Sequence, residues 1–304
     1  MRVLLTGANG QVGWDLAKLA AKKGFGILAL DRATLDLTDA SAIDREVSGS
    51  GASVVVNAAA YTAVDQAESE PELAFAVNRD GPGHLASACA ETGIPLIHIS
   101  TDFVFNGQKH DPYLETDQTS PLNVYGQSKV AGEVVVRERL REHIILRTSW
   151  VYGAHGHNFV NTMLRLGQEK EVVRVVDDQH GCPTNAVDIA EAILTIAGQI
   201  MKGRGINWGT YHYCGKGVTS WHGFAEAIFA LAAQYTSLKV KRVEPISTAE
   251  YPTPAKRPAN SVLDCSLLEK EFGIRSRPWS ESLAQMLEVL FSVKKLKNPH
   301  RVIT

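Results

Sequence analysis

Three evenly spaced glycines, Gly7, Gly10 and Gly13, follow directly on the apolar run Val3-Leu4-Leu5 and open into a segment of helical periodicity over 11–23. A chain that passes so abruptly from strand to helix has few architectures open to it. The first glycine permits a tight turn, the second a close backbone approach to a ligand, and the third close packing of helix on strand. The same rhythm continues downstream, with strands expected over 27–30, 54–57, 96–100 and 144–146 and helices over 73–91 and 121–141. Val54-Val55-Val56 and Leu96-Ile97-His98-Ile99 are runs without polar alternation. Parallel strands covered on both faces have that character.

These features predict an α/β fold, a doubly wound, Rossmann-like parallel sheet over 1–150. Beyond it, over 151–304, helices expected over 158–169, 188–198 and 221–234 alternate with loops rich in Gly, Pro, His and aromatic residues. This smaller, mainly C-terminal part is expected to bind substrate, with some segments returning to the first domain. With 304 residues, 44% hydrophobic and 21% charged, the chain has ordinary globular composition. A net charge of −2 supplies no basic field for nucleic acid or an anionic membrane. No apolar run approaches the roughly 20 residues that span a bilayer, and the first residues run straight into a strand, so a cytoplasmic protein is expected. Lys294, Lys295 and Lys297 are expected to cap the last helix or to be solvated. Cys89, Cys182, Cys214 and Cys265 form no C-x-x-C pair and are read as reduced apolar side chains without chemistry.

The turn Gly7-Ala8-Asn9-Gly10-Gln11-Val12-Gly13 is expected to hold the pyrophosphate of a dinucleotide at a helix N-terminus, where amide donors and the helix dipole favour an anion. Asp31 ends the second strand, where a carboxylate accepts from the adenosine ribose of NAD. Arg32 next to it can pair with the 2′-phosphate of NADP, so NADPH and NADH both remain open. Asp36 and Leu37 are expected to border the adenine, and Ala58, Ala59 and Ala60 to pass beside the cofactor.

Tyr125 and Lys129 stand in a Y-x-x-x-K spacing that sets phenol and ammonium one helical turn apart. A tyrosine ionises near pH 10, and a neighbouring cation eases that ionisation. Upstream, Ser100-Thr101-Asp102 follows a parallel strand, at the end where ligands of such sheets bind. The glycine turn, a hydroxyl at the end of a strand and then Y-x-x-x-K resemble the extended short-chain dehydrogenases.

The resemblance narrows to the dTDP-4-dehydrorhamnose reductases over nearly the whole chain. It is carried by GANGQVGW at 7–14, VNAAAYTAVDQAESEP at 56–71, STDFVFNG at 100–107, SPLNVYGQSK at 120–129, RTSWVY at 147–152 and YPTPAKRPAN at 251–260. It implies that Thr101, Tyr125 and Lys129 form the catalytic group and that a nicotinamide reduces the C4 keto group of a nucleotide sugar. Thr101, Asp102, Phe103, Trp150 and Arg257 are the implied substrate contacts. Phe103 stands where the family commonly carries tyrosine, keeping the ring without the hydroxyl. Arg257 matches diphosphate oxygens, and Trp150 suits a sugar face or the core. Some members form a homodimer through magnesium held by acidic side chains. Asp15 fits one such position, whereas Val187 occupies another and Asp188 lies about 100° further round a helix. Neither magnesium nor a homodimer is therefore assigned. His155, His157 and His180 match no familiar ligand spacing and are read as loop histidines. A nucleotide-sugar epimerase or dehydratase shares the glycine turn and Y-x-x-x-K, and a regulatory subunit of methionine adenosyltransferase resembles these reductases without catalysing. Both stay as rival readings.

Overall fold

Apolar strands set the centre of the molecule, and their side chains divide it into two layers. The computed structural model describes residues 2–297, with side chains as far as Ser292; those of Lys294, Lys295 and Lys297 fall outside that range. In chain order the first half comprises β1 (Arg2–Thr6), α1 (Gln11–Lys22), β2 (Gly26–Leu30), α2 (Ala40–Gly49), β3 (Val54–Asn57), α3 (Val64–Ala67), α4 (Pro71–Phe75), α5 (Gly81–Thr92), β4 (Leu96–Thr101), α6 (Val124–Arg139) and β5 (His143–Thr148). The second half contains β6 (Val151–Tyr152), α7 (Phe159–Glu169), β7 (Val172–Val176), β8 (His180–Gly181), β9 (Thr184–Asn185), α8 (Ala186–Met201), β10 (Gly209–His212), β11 (Thr219–Ser220), α9 (Trp221–Ala232), β12 (Arg242–Ile246), α10 (Ser266–Phe272) and α11 (Trp279–Lys297).

Among the described residues the central sheet has six strands, all parallel, in the order β10-β5-β4-β3-β1-β2, and three two-stranded pairs, β11-β8, β12-β7 and β6-β9, lie outside it. Val3, Leu5, Val54 and Val56 point to the layer holding α1 and α8, while Leu4 and Val55 point to the layer holding α2, α5 and α6. That division follows from the strand period of two. β10 comes from the second half, pairing with β5 in the register Gly209↔Ile144 to His212↔Arg147. A separate apolar cluster joins Tyr152 and Val160 to Phe224, Ile228, Leu283 and Leu287.

Two helices depart from expectation. The continuous helix expected over 73–91 is α4 and α5 joined by a π turn at Ala76–Asp80. Pro82 has no amide hydrogen to give, and the preceding turn widens so that the Gly81 amide bonds to the Ala76 carbonyl. That wide turn places the Asn78 carbonyl so near α6 that a Cβ on Gly132 would lie 2.0 Å from it. The helix expected from residue 121 begins at Val124, because the Asn123 side chain accepts from the Gly126 amide at 2.8 Å and caps it.

Candidate active site

At the carboxyl ends of β1 and β3 the register sets Thr6 and Asn57 side by side, with His98, midway along β4, next to Asn57. Strand order reverses beside β1, with β2 on one side and β3 and β4 on the other, and ligands of doubly wound sheets bind at such a crevice. The glycine turn lies there. Gly7 has a φ of 74°, in the left-handed region, and a Cβ on it would lie 2.5 Å from the Ala59 amide nitrogen. A Cβ on Gly13 would lie 2.1 Å from the Gly7 carbonyl oxygen. Gly10 caps α1 without a side-chain acceptor, so the turn is closed by backbone alone and the first amides of α1 have no side-chain cap. A cradle of that kind fits an anionic dinucleotide.

Around it, Asp31 accepts from Asn9 Nδ2 at 2.7 Å, and bonds from the Thr34 amide and hydroxyl hold its carboxyl below the usual range. It therefore presents a charged acceptor at neutral pH. Arg32 is exposed beside it. Asp36 is held low by the Thr38 amide and hydroxyl, and Arg32 acts in the same direction. Ala58, Ala59 and Ala60 are half-buried, and Gly7 packs against the backbone of Ala58 and Ala59. Val12 and Leu37 send their side chains into the core, Leu37 against Gly81, so each offers the site its backbone rather than its side chain. Gln11 accepts from Asn158 Nδ2 at 3.0 Å, joining the turn to the cap of α7.

Thr101, Tyr125 and Lys129 converge at the end of β4. Thr101 Oγ1 accepts from the Phe103 amide at 3.2 Å and donates to Asp102 Oδ1 at 2.9 Å. The Tyr125 hydroxyl hydrogen-bonds the Thr101 side chain. Burial pushes the phenol up to about 12; the Thr101 bond opposes this and the Asp102 charge adds to it. Burial, rather than the Lys129 charge to which the sequence pointed, sets the net direction for the resting phenol. Lys129 is itself buried and brought down to about 8 by desolvation, with Glu133 pulling upward. Its Nζ donates to the Ile99 carbonyl at 2.7 Å and stands 3.4 Å from His98 Nε2. Burial, reinforced by the Lys129 charge, keeps the His98 imidazole neutral. His98 was read only as part of an apolar strand, since a lone histidine in such a run carries no spacing signal.

Beneath this group lies Glu133, fully buried, which accepts from Ser100 Oγ at 2.6 Å and from Arg147 at 2.7 and 2.8 Å. Asp102 is also buried, and desolvation raises its carboxyl to about 6.

On the substrate side, Phe103 meets the Tyr125 ring edge-on at 5.6 Å. Trp150 has a φ of 47°, unusual for a side-chain-bearing residue, and its indole stacks on Trp221 at 3.6 Å. Gly181 packs so close to that indole that a Cβ would lie 2.4 Å from it. One indole face is therefore already covered. Arg257 forks onto Asp65 of α3 through bonds of 3.0 and 2.8 Å and also donates to Thr253 and the Ala255 carbonyl. The sequence marked the arginine but not its carboxylate partner.

The residues about Asp15 do not fit a magnesium ion. The half-buried Asp15 carboxyl is raised by desolvation with the Lys18 charge opposing, Val187 offers no donor, and Asp188 is paired with Arg277 at 3.1 Å and bonded to Ser282. His155 stacks on Trp14 at 4.3 Å. Among the described residues, no group of three or more His, Cys, Asp or Glu is arranged to hold a metal, and no helix is long and apolar enough to cross a membrane.

The model of the RmlD substrate binding domain matches residues 1–291. A dTDP-4-dehydrorhamnose reductase of Sinorhizobium fredii is 47% identical over 291 residues, covering 95% of this chain and 98% of its own. Among solved structures, a dTDP-4-dehydrorhamnose reductase of Clostridium acetobutylicum superposes with a TM-score of 0.89 at 39% identity, over 95% of this chain and 99% of that one. One of Bacillus anthracis, solved in complex with NADP, gives 0.88 at 38% identity with the same coverage. A match from end to end of the sheet, the glycine turn and the Thr-Tyr-Lys group leaves no part of the site outside the comparison, and the chain belongs to the RmlD family, that of the dTDP-4-dehydrorhamnose reductases.

Proposed function

We propose that this chain reduces the C4 keto group of dTDP-4-dehydro-L-rhamnose to give dTDP-L-rhamnose, using NADPH or NADH. The observation that carries the reading is the grouping of Thr101, Tyr125 and Lys129 at the end of β4, beside a backbone cradle suited to a dinucleotide. The bound dinucleotide supplies a hydride to C4. Tyr125, held protonated by its burial, carries the proton that the C4 oxygen must receive. Thr101 keeps the phenol in place and shares the developing charge. Lys129, a buried cation anchored on Ile99, stabilises the tyrosinate left behind and returns it to the neutral form. The half before residue 150 serves the dinucleotide, and the later half mostly serves the sugar. Arg257 exchanges the two oxygens of Asp65 for those of the substrate diphosphate, a like-for-like replacement of bidentate partners. Trp150 lines the sugar with whatever surface Trp221 leaves uncovered.

The test is oxidation of NADPH and of NADH by purified protein with enzymatically generated dTDP-4-dehydro-L-rhamnose. Net consumption matching dTDP-L-rhamnose formed is expected. An epimerase or dehydratase would give product without net consumption, and a non-catalytic binder would give neither.

Asp102 sets a pH dependence on this mechanism. With its carboxyl raised to about 6, it is ionised at neutral pH, draws the Thr101 hydroxyl hydrogen to itself and opposes formation of a second anion at Tyr125. As the pH falls through about 6 the carboxyl is neutralised and both effects lapse. The wild-type kcat is expected to rise several-fold between neutral pH and the acid side of that value, and Asp102→Asn to flatten the profile. A wild-type kcat that falls over the same range contradicts the assignment.

A further inference from the structure

Cys182, Cys214 and Cys265, scattered in sequence, meet in one apolar cluster with Phe105, Tyr113, Val262 and Leu263. The Sγ atoms of Cys214 and Cys265 are 3.6 Å apart, and the Cys214 amide is 3.2 Å from Cys265 Sγ. The two thiols are unequal. Cys214 is buried just beyond β10 with its Sγ 3.6 Å from the Leu263 carbonyl, whereas Cys265 is half-buried at the N-cap of α10. All four cysteines are free thiols. The geometry points to an oxidation site for a small hydroperoxide, with Cys265 as the attacking sulfur and Cys214 as the resolving thiol.

In the first step the Cys265 thiolate attacks one peroxide oxygen. An S–O bond forms as the O–O bond breaks, sulfur is oxidised to a sulfenic acid, and the reduced peroxide takes up a proton and leaves as alcohol or water. In the second, Cys214 gives up its proton and its sulfur attacks Cys265 Sγ. The S–S bond forms, the S–O bond breaks, and hydroxide leaves with that proton as water. The sulfurs need to close from 3.6 Å to about 2.0 Å, within reach of side-chain rotation. Hydrogen bonding from Cys214 lowers the Cys265 thiol below its ordinary value, while burial pushes Cys89 up to about 12. Cys89 thus serves as an internal unreactive thiol. The bridge joins the edge of the central sheet to the segment running on from Arg257.

Full-length protein is exposed to hydrogen peroxide at neutral pH and followed by thiol titration, peptide mapping without reductant and thermal melting. Titratable thiols are expected to fall from four to two, with a Cys214–Cys265 peptide. The Tm is expected to rise by roughly 5 °C and to return on adding dithiothreitol. Cys214→Ser stops at a Cys265 sulfenic acid that dimedone traps, and Cys265→Ser slows oxidation about tenfold. A Cys182–Cys214 bridge in the wild type, oxidation of Cys89 as fast as that of Cys265, or four thiols surviving the exposure would each overturn the assignment. The wild-type mapping decides between these outcomes even if either variant folds poorly.

Discussion

Tyr125→Phe is expected to lower kcat by about 10³-fold while leaving the dissociation constant for NADPH within about twofold of wild type. The substitution removes one oxygen and keeps the ring, so the edge contact with Phe103 survives and the buried volume barely changes. What it removes is the group placed to protonate the C4 oxygen. A hydroxyl in this setting has no substitute among its immediate contacts. Thr101 is committed to Asp102 and the Phe103 amide, and Lys129 to Ile99. The phenol is held up to about 12 by burial, so the loss should be uniform across the neutral range rather than tracking a titration of the tyrosine. Single-turnover hydride transfer and equilibrium NADPH binding, measured on the same preparation, separate the two quantities. A variant that retains a tenth or more of the wild-type rate excludes Tyr125 as the acid.

Glu133→Ala is expected to cost about 3–5 kcal/mol and to lower the Tm by roughly 10 °C. Glu133 is wholly buried and is the shared acceptor for Arg147 and Ser100, with Arg137 at 3.2 Å. Its removal leaves the buried Arg147 guanidinium without a counter-charge, which is worse than losing the pair together. Replacing both members, Glu133→Leu with Arg147→Met, should therefore restore much of the lost stability. The pair also has a pH signature. Despite burial, the arginine bonds leave the net Glu133 value below the ordinary 4.5 of a glutamate. A depressed carboxyl contributes stability above its unfolded value and loses it as the pH falls toward the folded one. Wild-type melting temperature should fall below about pH 4.5 more steeply than that of the double variant. Denaturant unfolding across that range checks both the magnitude and the sign.

The parts that local pattern encodes were legible. Val54-Val55-Val56 has no polar alternation because both faces are covered, and the strand lies where that rule put it. The glycine turn was legible because no other residue satisfies both a left-handed Gly7 and the close approach at Gly13. Tyr125 and Lys129 announced themselves because their spacing is helical. What escaped depends on residues that meet only through the tertiary fold. Cys214 and Cys265 are 51 positions apart, and Arg257 is 192 from Asp65. β10 was missed for a related reason: Gly-Thr-Tyr-His at a sheet edge has neither a continuous apolar run nor clean alternation. The widening at Ala76–Asp80 arises from Pro82, whose effect on a preceding turn the periodicity of 73–91 did not register.

Asn123 has two duties. Its Oδ1 caps the helix carrying Tyr125 through the Gly126 amide, and its Nδ2 donates to the Lys256 carbonyl at 2.7 Å, one residue before Arg257. A single amide therefore couples the aim of the acid to the seating of the loop that faces the diphosphate in the proposed reaction. Sugars lacking the nucleotide are expected to forgo that coupling and to lose rate at the chemical step as well as affinity, which would make the part of the substrate that does not react a participant in fidelity.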